Sequence, residues 1–396
     1  MKAYLLAGEA SGDKLGAALI DGMNSLAKGI EFRGVAGPLM QNAGVDSLFP
    51  MQELSVMGIA EVLPKYPQLR RRLAQTADDV IAWQPDVLIT IDSPDFSLRL
   101  AKIVKNRTRI PCVHYVAPSV WAWRPGRAKK MAAHIDHVLS LLPFEPPYME
   151  AAGMTSDFVG HPVVTEPIAT EEEIDGFRSR EGLGSAPIAL VLPGSRSSEV
   201  TRLMPKFGAA IEFLSKSVPG LQVVIPAVGH VATTIGDSVN SWAIKPVIID
   251  MANDPDAMSR KKGAFGAANV ALAASGTVSL ELAASKTPMV IAYDMSWLTW
   301  QVMSRLALID TVTLVNLVSD TREVPEFLGP NCDPRAISEA MFSLLSDPKK
   351  RSAQNSAMET TMSRIGLNGD APGVRAARSV LEFLERHQSQ GSKTGT

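Results

Sequence analysis

The sequence predicts two doubly wound α/β domains followed by C-terminal helices. Three observations lead there. Short apolar runs alternate with stretches of helical periodicity, and this happens in two successive series. A proline-bearing break, GHPVVTEPIAT at residues 160–170, separates the series. From Pro334 onward the periodicity is helical throughout. Strands alternating with helices of roughly 10–15 residues imply parallel sheets with crossover helices.

The first series opens with the apolar run 3–7, which ends at Gly8. Leu15, Ala18, Leu19, Met23 and Leu26 then follow at near-helical spacing, with Gly29 as a stop. Strands are expected at 86–91, 111–116 and 137–142, with helices at 96–104 and from Glu145. The second series places strands at 188–192, 221–225, 246–249, 270–273 and 288–292. Its helices are expected at 199–217, 255–261, 277–284 and 297–306. Three more helices, 335–345, 349–365 and 372–386, precede a polar tail expected to fray. The expected divisions are 1–163, 164–350 and a helical 351–390. Ligands of such sheets sit at the carboxyl ends of strands, so two facing sheets would form a cleft.

Composition narrows the function classes. At 100–200 residues per domain, about two or three domains fit into 396 residues. With 39 basic and 41 acidic residues the net charge is −2, which argues against bulk nucleic-acid binding. A hydrophobic fraction of 46% excludes wholesale disorder. Cys112 and Cys332 cannot build a disulfide framework or a four-cysteine zinc site, so a reducing, cytoplasmic setting is expected. The apolar run before Gly8 is too short for a signal-peptide core. No stretch approaches the roughly 18 apolar residues of a membrane span. The histidines are scattered and no HExxH or CxxC occurs, so no metal is expected. His114 and His161 read as core histidines before cleft residues.

Six segments carry residues suited to chemistry. Gly8–Asp13, GEASGD, lies between a strand and a helix, where small residues let a ligand approach free N–H groups. It is not the GxGxxG dinucleotide fingerprint, and Ser11 or Asp13 as a helix cap is the competing reading. In Thr90–Phe96, Asp92 ends an apolar strand, where a carboxylate can take a proton from a sugar hydroxyl. Ser93 or Asp95 suits a cap. In Tyr115–Arg124, Trp121 and Trp123 precede Arg127, Lys129 and Lys130. They suit either a phosphate or membrane contact or a core tryptophan beside a solvated helix.

In Met57–Leu73, apolar residues through Leu63 abut Lys65, Arg70, Arg71 and Arg72. The segment fits a membrane interface or an ordinary helix with a charged face. Leu192–Glu199 offers Gly194 and Ser195 at a helix start and Arg196 for phosphate oxygens. It lacks the GxSxG nucleophile elbow. Ala274–Glu281 places Ser275, Gly276 and Thr277 at another helix start, one turn before Glu281. Such N–H groups can hold a diphosphate while the carboxylate accepts from ribose hydroxyls.

In this order the motifs resemble those of the lipid-A-disaccharide synthases, glycosyltransferases of GT-B fold. The resemblance rests on GEASGD, FRGVAGPLM at 32–40, MGIAEVL at 57–63, IDSPDF at 91–96 and HYVAPSVWAWR at 114–124. It continues through LPFE at 142–145, VGH at 159–161, LPGSR at 192–196 and SGT…LE at 275–281. It implies an inverting transfer that joins UDP-2,3-diacylglucosamine to 2,3-diacylglucosamine 1-phosphate and releases UDP, with no cofactor. The first domain would then take the acceptor and face the membrane, and the second would bind the UDP-sugar. The C-terminal helices would cross back to the first domain.

By that resemblance Asp92 is the base, and Gly194, Ser195, Arg196, Ser275, Gly276, Thr277, Glu281 and Asn316 bind the nucleotide. Glu9, Ser11 and Asp13 line the sugar side. Asn316 follows Val315, where the family usually carries proline. Acylated substrates imply peripheral contact with the cytoplasmic face of an inner membrane, through Leu63, Arg70, Arg71, Arg72, Trp121 and Trp123. Oligomeric state stays open, with a homodimer as one alternative. The rival functions are a UDP-N-acetylglucosamine 2-epimerase-like enzyme and a UDP-sugar-binding module without catalysis.

Overall fold

The computed structural model describes residues 1–54 and 59–393, with side chains at all of these except 59–63, 298 and 390–393. Packing divides the chain into two units: 1–165 together with 368–396, and 166–367.

The first unit is built on a parallel sheet. Its strands are β1 Lys2–Ala7, β2 Glu31–Val35, β3 Asp46–Ser47, β4 Val87–Ile91, β5 Cys112–Tyr115, β6 His137–Ser140 and β7 Thr155–Phe158. They lie in the order β3-β2-β1-β4-β5-β6-β7. β1 pairs with β4 in the register Leu5↔Ile89 and Ala7↔Ile91. Tyr4, Leu5, Leu6, Leu88, Ile89 and Ile91 are fully buried, as continuous apolar strands covered on both faces must be. Burying a leucine or isoleucine side chain stabilises by about 1.5–3 kcal/mol. The strands buried along their whole length are therefore the ones whose sequences stand out.

In this unit the strands absent from the sequence expectation are β2, β3 and β7. β2 reads EFRGV, β3 has two residues, and β7 reads TSDF at the sheet edge. Their polar side chains hide the apolar pattern.

Helices α1 Ala10–Leu26, α2 Pro38–Asn42, α3 Ile59–Trp83 and α4 Pro94–Arg107 follow β1, β2, β3 and β4. The C-terminal helix Pro372–Lys393 packs on α1 at a crossing of small residues. A β-carbon on Gly22 would overlap the Gly373 carbonyl, and one on Gly373 would overlap the Ala18 carbonyl. His137 of β6 ties the same helix down: its Nε2 lies 2.8 Å from Ser379 Oγ and its ring stacks on Phe383 at 4.9 Å. Burial lowers its pKa to about 4. The helix runs on to Lys393, so the residues expected to fray from His387 are largely helical.

The second unit repeats the plan. Its strands are β8 Ile188–Leu192, β9 Gln222–Ala227, β10 Val247–Asp250, β11 Val270–Ala273, β12 Met289–Tyr293 and β13 Glu326–Leu328, in the order β10-β9-β8-β11-β12-β13. All its pairings are parallel. Helix Pro348–Arg364 belongs to this unit; Gln354 within it hydrogen-bonds both backbone groups of Met289. The chain re-enters the first unit only from Asn368, whereas the sequence division fell at 350/351.

In each sheet the strand order reverses once, between β1 and β4 and between β8 and β11. Open α/β sheets bind ligands at such switch points, outside the carboxyl ends of the strands.

Candidate functional site

Four of the sequence motifs, GEASGD, IDSPDF, LPGSR and SGT, occupy these two switch points. In the first unit, Gly8 and Glu9 follow β1 and Asp92 follows β4. The Asp92 N–H donates to the Tyr115 carbonyl at 2.9 Å, and Ser97 Oγ donates to the Asp92 carbonyl at 2.7 Å. The backbone at this edge is held in the left-handed region. Asp92 has φ +50°, Ser93 has φ +46°, and Val116 after β5 has φ +85°. For a β-branched residue that is a genuine outlier, and each such residue costs on the order of 1–3 kcal/mol. Strain of this kind concentrates where a side chain must be aimed.

A cavity of about 340 Å³ opens at this edge, lined by Glu9, Ser93, Asp95 and Phe96 together with Arg70 of α3 and Arg99 of α4. Asp92 is half-buried beside it, preceding Ser93. Ser11 is exposed on the first turn of α1, which starts at Ala10 with no side-chain cap.

Asp13 has a different place from the one expected. It is 3% exposed, and its two oxygens accept the N–H groups of Leu39 at 2.9 Å and Met40 at 3.0 Å. It caps the start of α2 from across the unit, which leaves it no free face for a sugar.

The membrane-contact residues also separate. Trp121 is 8% exposed, packs edge-on against Phe144 at 5.1 Å and donates its indole N–H to Glu145 at 3.2 Å. It is a core side chain, because the carboxylate of the LPFE turn needs that donor. Glu145 also accepts from the Leu141 and Leu142 N–H groups, both at 3.0 Å. Burial pushes its pKa up to about 7 against the pull of these hydrogen bonds. Trp123 is half-buried with the Arg124 guanidinium 4.1 Å over its ring.

Arg72 is committed to Glu53 through two hydrogen bonds, at 2.7 and 2.6 Å, and is therefore a brace of the unit. Arg70 and Arg71 are exposed. The Leu63 side chain lies outside the described residues. Among the described residues no helix is long and apolar enough to cross a membrane.

In the second unit, Gly194, Ser195, Arg196, Ser275, Gly276, Thr277 and Glu281 all line one cavity of about 660 Å³. Gly194 has φ +103°, and a β-carbon there would overlap the Glu199 carboxylate. Glycine is thus required for the turn from β8 into helix Ser197–Ser217, whose first N–H groups have no intrahelical partner. Arg196 is 69% exposed at its side chain and pairs with Glu199 at 2.9 Å. Glu199 in turn accepts from Tyr293 Oη at 3.3 Å.

Lys261 reaches Glu281 at 2.6 Å inside the same cavity. No local signal marks Lys261; it lies on helix Ala257–Ala267 and only packing carries it to the switch point. Asn316 stays outside. It is 1% exposed, donates to Thr311 Oγ1 and the Val324 carbonyl, and accepts the Val324 N–H at 3.0 Å. Both its amide hydrogens and one lone pair of its oxygen brace one loop, and its burial makes it a structural residue here.

His114 is buried, 2.8 Å from Thr90 Oγ1, and burial lowers its pKa to about 4. Among the described residues no cluster of three or more histidine, cysteine or acidic side chains could hold a metal.

The second cavity offers two cations, two acids and two glycine-bearing turns at one switch point, an arrangement suited to a nucleotide. Comparison with known proteins agrees with such a fold. Among solved structures, UDP-GlcNAc 2-epimerase from Neisseria meningitidis superposes with a TM-score of 0.64 at 13% identity, covering 98% of this chain and 100% of that one. A glycosyltransferase from Rickettsia africae gives 0.61 at 11%, covering 97% of each. The sequence comparisons are more specific. A family model described as lipid-A-disaccharide synthetase matches residues 3–369. The lipid-A-disaccharide synthase of Ruegeria pomeroyi is 57% identical over 386 residues, 97% of this chain and 96% of the relative. That of Rhodospirillum centenum is 44% identical over 386 residues, 97% and 94% of the two chains. The chain therefore belongs to the lipid-A-disaccharide synthase family and is a glycosyltransferase of GT-B fold.

Proposed function

We propose that this enzyme joins the glucosamine of UDP-2,3-diacylglucosamine to 2,3-diacylglucosamine 1-phosphate. The observation that carries the reading is that each unit has chemistry at its own switch point: Asp92 in the first, the Arg196–Glu281 cavity in the second. Asp92 accepts the proton of the acceptor 6-hydroxyl as its oxygen attacks C1 of the donor sugar from the face opposite the phosphate. The bond from C1 to the diphosphate oxygen breaks, its electron pair leaves with UDP, and the configuration inverts. Arg196 and Lys261 meet the charge that develops on the diphosphate, with the N–H groups at Gly194–Ser195 and Ser275–Thr277. Glu281, held on one oxygen by Lys261, keeps its other oxygen for the ribose hydroxyls.

UDP release is measured with both acylated sugars and with each omitted in turn. Release only when both are present is expected. Release with donor alone, or isomerised donor, overturns the reading in favour of the epimerase, and binding with no release under any condition favours the module.

Acylated substrates require the protein to meet a lipid surface. We propose peripheral contact with the cytoplasmic face of the inner membrane. What supports it is the exposed set Lys65, Tyr66 and Arg71 on α3, and the exposed Trp297, Val302, Leu306 and Leu308 in the second unit. A basic residue near an anionic surface contributes about 1 kcal/mol. Reversing Lys65 and Arg71 to glutamate is therefore expected to weaken co-sedimentation with phosphatidylglycerol vesicles about tenfold or more, with the melting temperature unchanged. Unchanged sedimentation would remove α3 as the contact.

A further inference from the structure

The three consecutive arginines of α3 have three fates. Arg72 pairs with Glu53, Arg71 faces solvent, and Arg70 lines the cavity at the β1/β4 switch point. Successive helical residues are turned by about 100°, so neighbours cannot share a task. Arg99 reaches the same cavity from α4. Among the described residues, neither guanidinium makes an ion pair or a hydrogen bond with a protein acceptor. On the same helices Arg72 is paired with Glu53 and Arg107 with Asp78, while Arg71 is exposed to solvent away from the cavity lining. Glu9 and Asp95 share the cavity, so the arginines do not face an entirely cationic site. The rest of the wall is largely apolar, with Leu54, Leu69, Leu73 and Phe96.

Two uncommitted guanidiniums beside an apolar wall suit a ligand with one phosphate monoester and hydrocarbon close to it. A phosphate monoester carries about −1.5 to −2 charge at pH 7, and arginine meets such oxygens through two parallel N–H bonds. We infer that Arg70 and Arg99 form the subsite for the phosphate of an acylated sugar 1-phosphate, with the leucines and Phe96 taking the nearest acyl carbons. The inference rests on the proposed transfer reaction and adds the residues that select a phosphorylated acceptor. The subsite stands beside Ser93, the residue after Asp92, where an acceptor hydroxyl must come. A diphosphate donor already has cations of its own in the second unit. The selection is not legible from the RRR run, because the run does not say which arginine borders the cavity.

The test compares kcat/KM for diacylglucosamine with and without its 1-phosphate, in the wild type and in Arg70→Ala, Arg99→Ala and the double lysine variant. A hydrogen-bonded charged group is worth enough that each alanine is expected to lower the ratio between the two acceptors roughly ten- to hundredfold. The change should enter through the KM of the phosphorylated acceptor, with donor KM constant. Lysine should restore part of the ratio, since it keeps the charge and loses the fork. An unaltered ratio in both alanine variants overturns the subsite. So does an equal loss with both acceptors, which marks a structural role.

Phosphatidylglycerol vesicles form the second arm. Arg99→Ala is expected to bind them as the wild type does; weakened vesicle binding with an intact acceptor ratio makes the arginines a headgroup site and overturns the inference. The two readings fail separately. A wild type that turns over neither acceptor defeats the transfer reaction, whereas one that uses both equally defeats only the subsite.

Discussion

Replacing Asp92 with asparagine is expected to abolish most turnover while leaving UDP affinity intact. A positioned general base contributes about 10²–10⁴-fold, and asparagine cannot take the proton. The substitution is informative because of the backbone. Asp92 sits at φ +50°, a conformation that asparagine adopts about as readily as aspartate. The N–H bond to the Tyr115 carbonyl and the Ser97 bond to the residue's own carbonyl involve only the main chain at position 92. The variant therefore keeps the loop and loses the base. Alanine at this position confounds strain with chemistry and is the poorer test. UDP release under saturating substrates measures the loss, and titration with UDP measures the retained affinity. Turnover within a few-fold of the wild type removes Asp92 as base.

Asp13 is expected to behave in the opposite way. Removing its carboxylate with alanine leaves the N–H groups of Leu39 and Met40 without their acceptor. Each donor left unmet inside a protein costs about 1–3 kcal/mol. Met40 is fully buried and Leu39 is not, so a total of about 2–4 kcal/mol is expected. An asparagine in its place offers one acceptor oxygen instead of two, so Asp13→Asn should fall between alanine and wild type. Denaturant titration should show the first unit unfolding at lower urea, while UDP affinity, proposed to lie with the second unit, is unchanged. Normal stability with a raised sugar KM would restore Asp13 to the sugar site.

These two aspartates show what local pattern conveys. Both stand in short motifs just after an apolar strand, and each motif carries a cap as its competing reading, by Ser11 or Asp13 in one and by Ser93 or Asp95 in the other. The IDSPDF and GEASGD segments are alike in that respect, yet one carboxylate is left half-buried beside a cavity and the other is consumed by α2. The group that decides it, the Leu39 N–H at the start of α2, is 26 residues away in sequence. That is beyond the reach of any cap rule, which links residues two or three apart. Asn316 and Trp121 follow the same logic. An amide in VTLVNLV and an indole in SVWAWR look available until Val324 and Glu145 take their hydrogen-bonding groups.

The cavity of the second unit, proposed to take the nucleotide, was far more legible. Gly194–Arg196 and Ser275–Thr277 are each a strand end, a small-residue turn and a helix start, so geometry and composition coincide within a few residues. The interior strands were legible for a related reason. A strand buried on both faces must be apolar along its whole length, and that leaves a mark in the chain. β2, β3, β7 and β13 are short or carry polar residues and leave no such mark.

The sequence by itself determined the two α/β units, the strand-end position of GEASGD, IDSPDF, LPGSR and SGT, and the family. These depend on local periodicity and on short residue strings, which are properties of neighbours along the chain. Only the tertiary structure decided which groups remain free to act. It brought Lys261 to Glu281, turned Arg70 and Arg99 into one cavity, and withdrew Asp13, Arg72, Trp121 and Asn316 into the scaffold. Availability depends on whether a distant donor or acceptor has already satisfied a side chain, and that pairing exists only once the chain is packed.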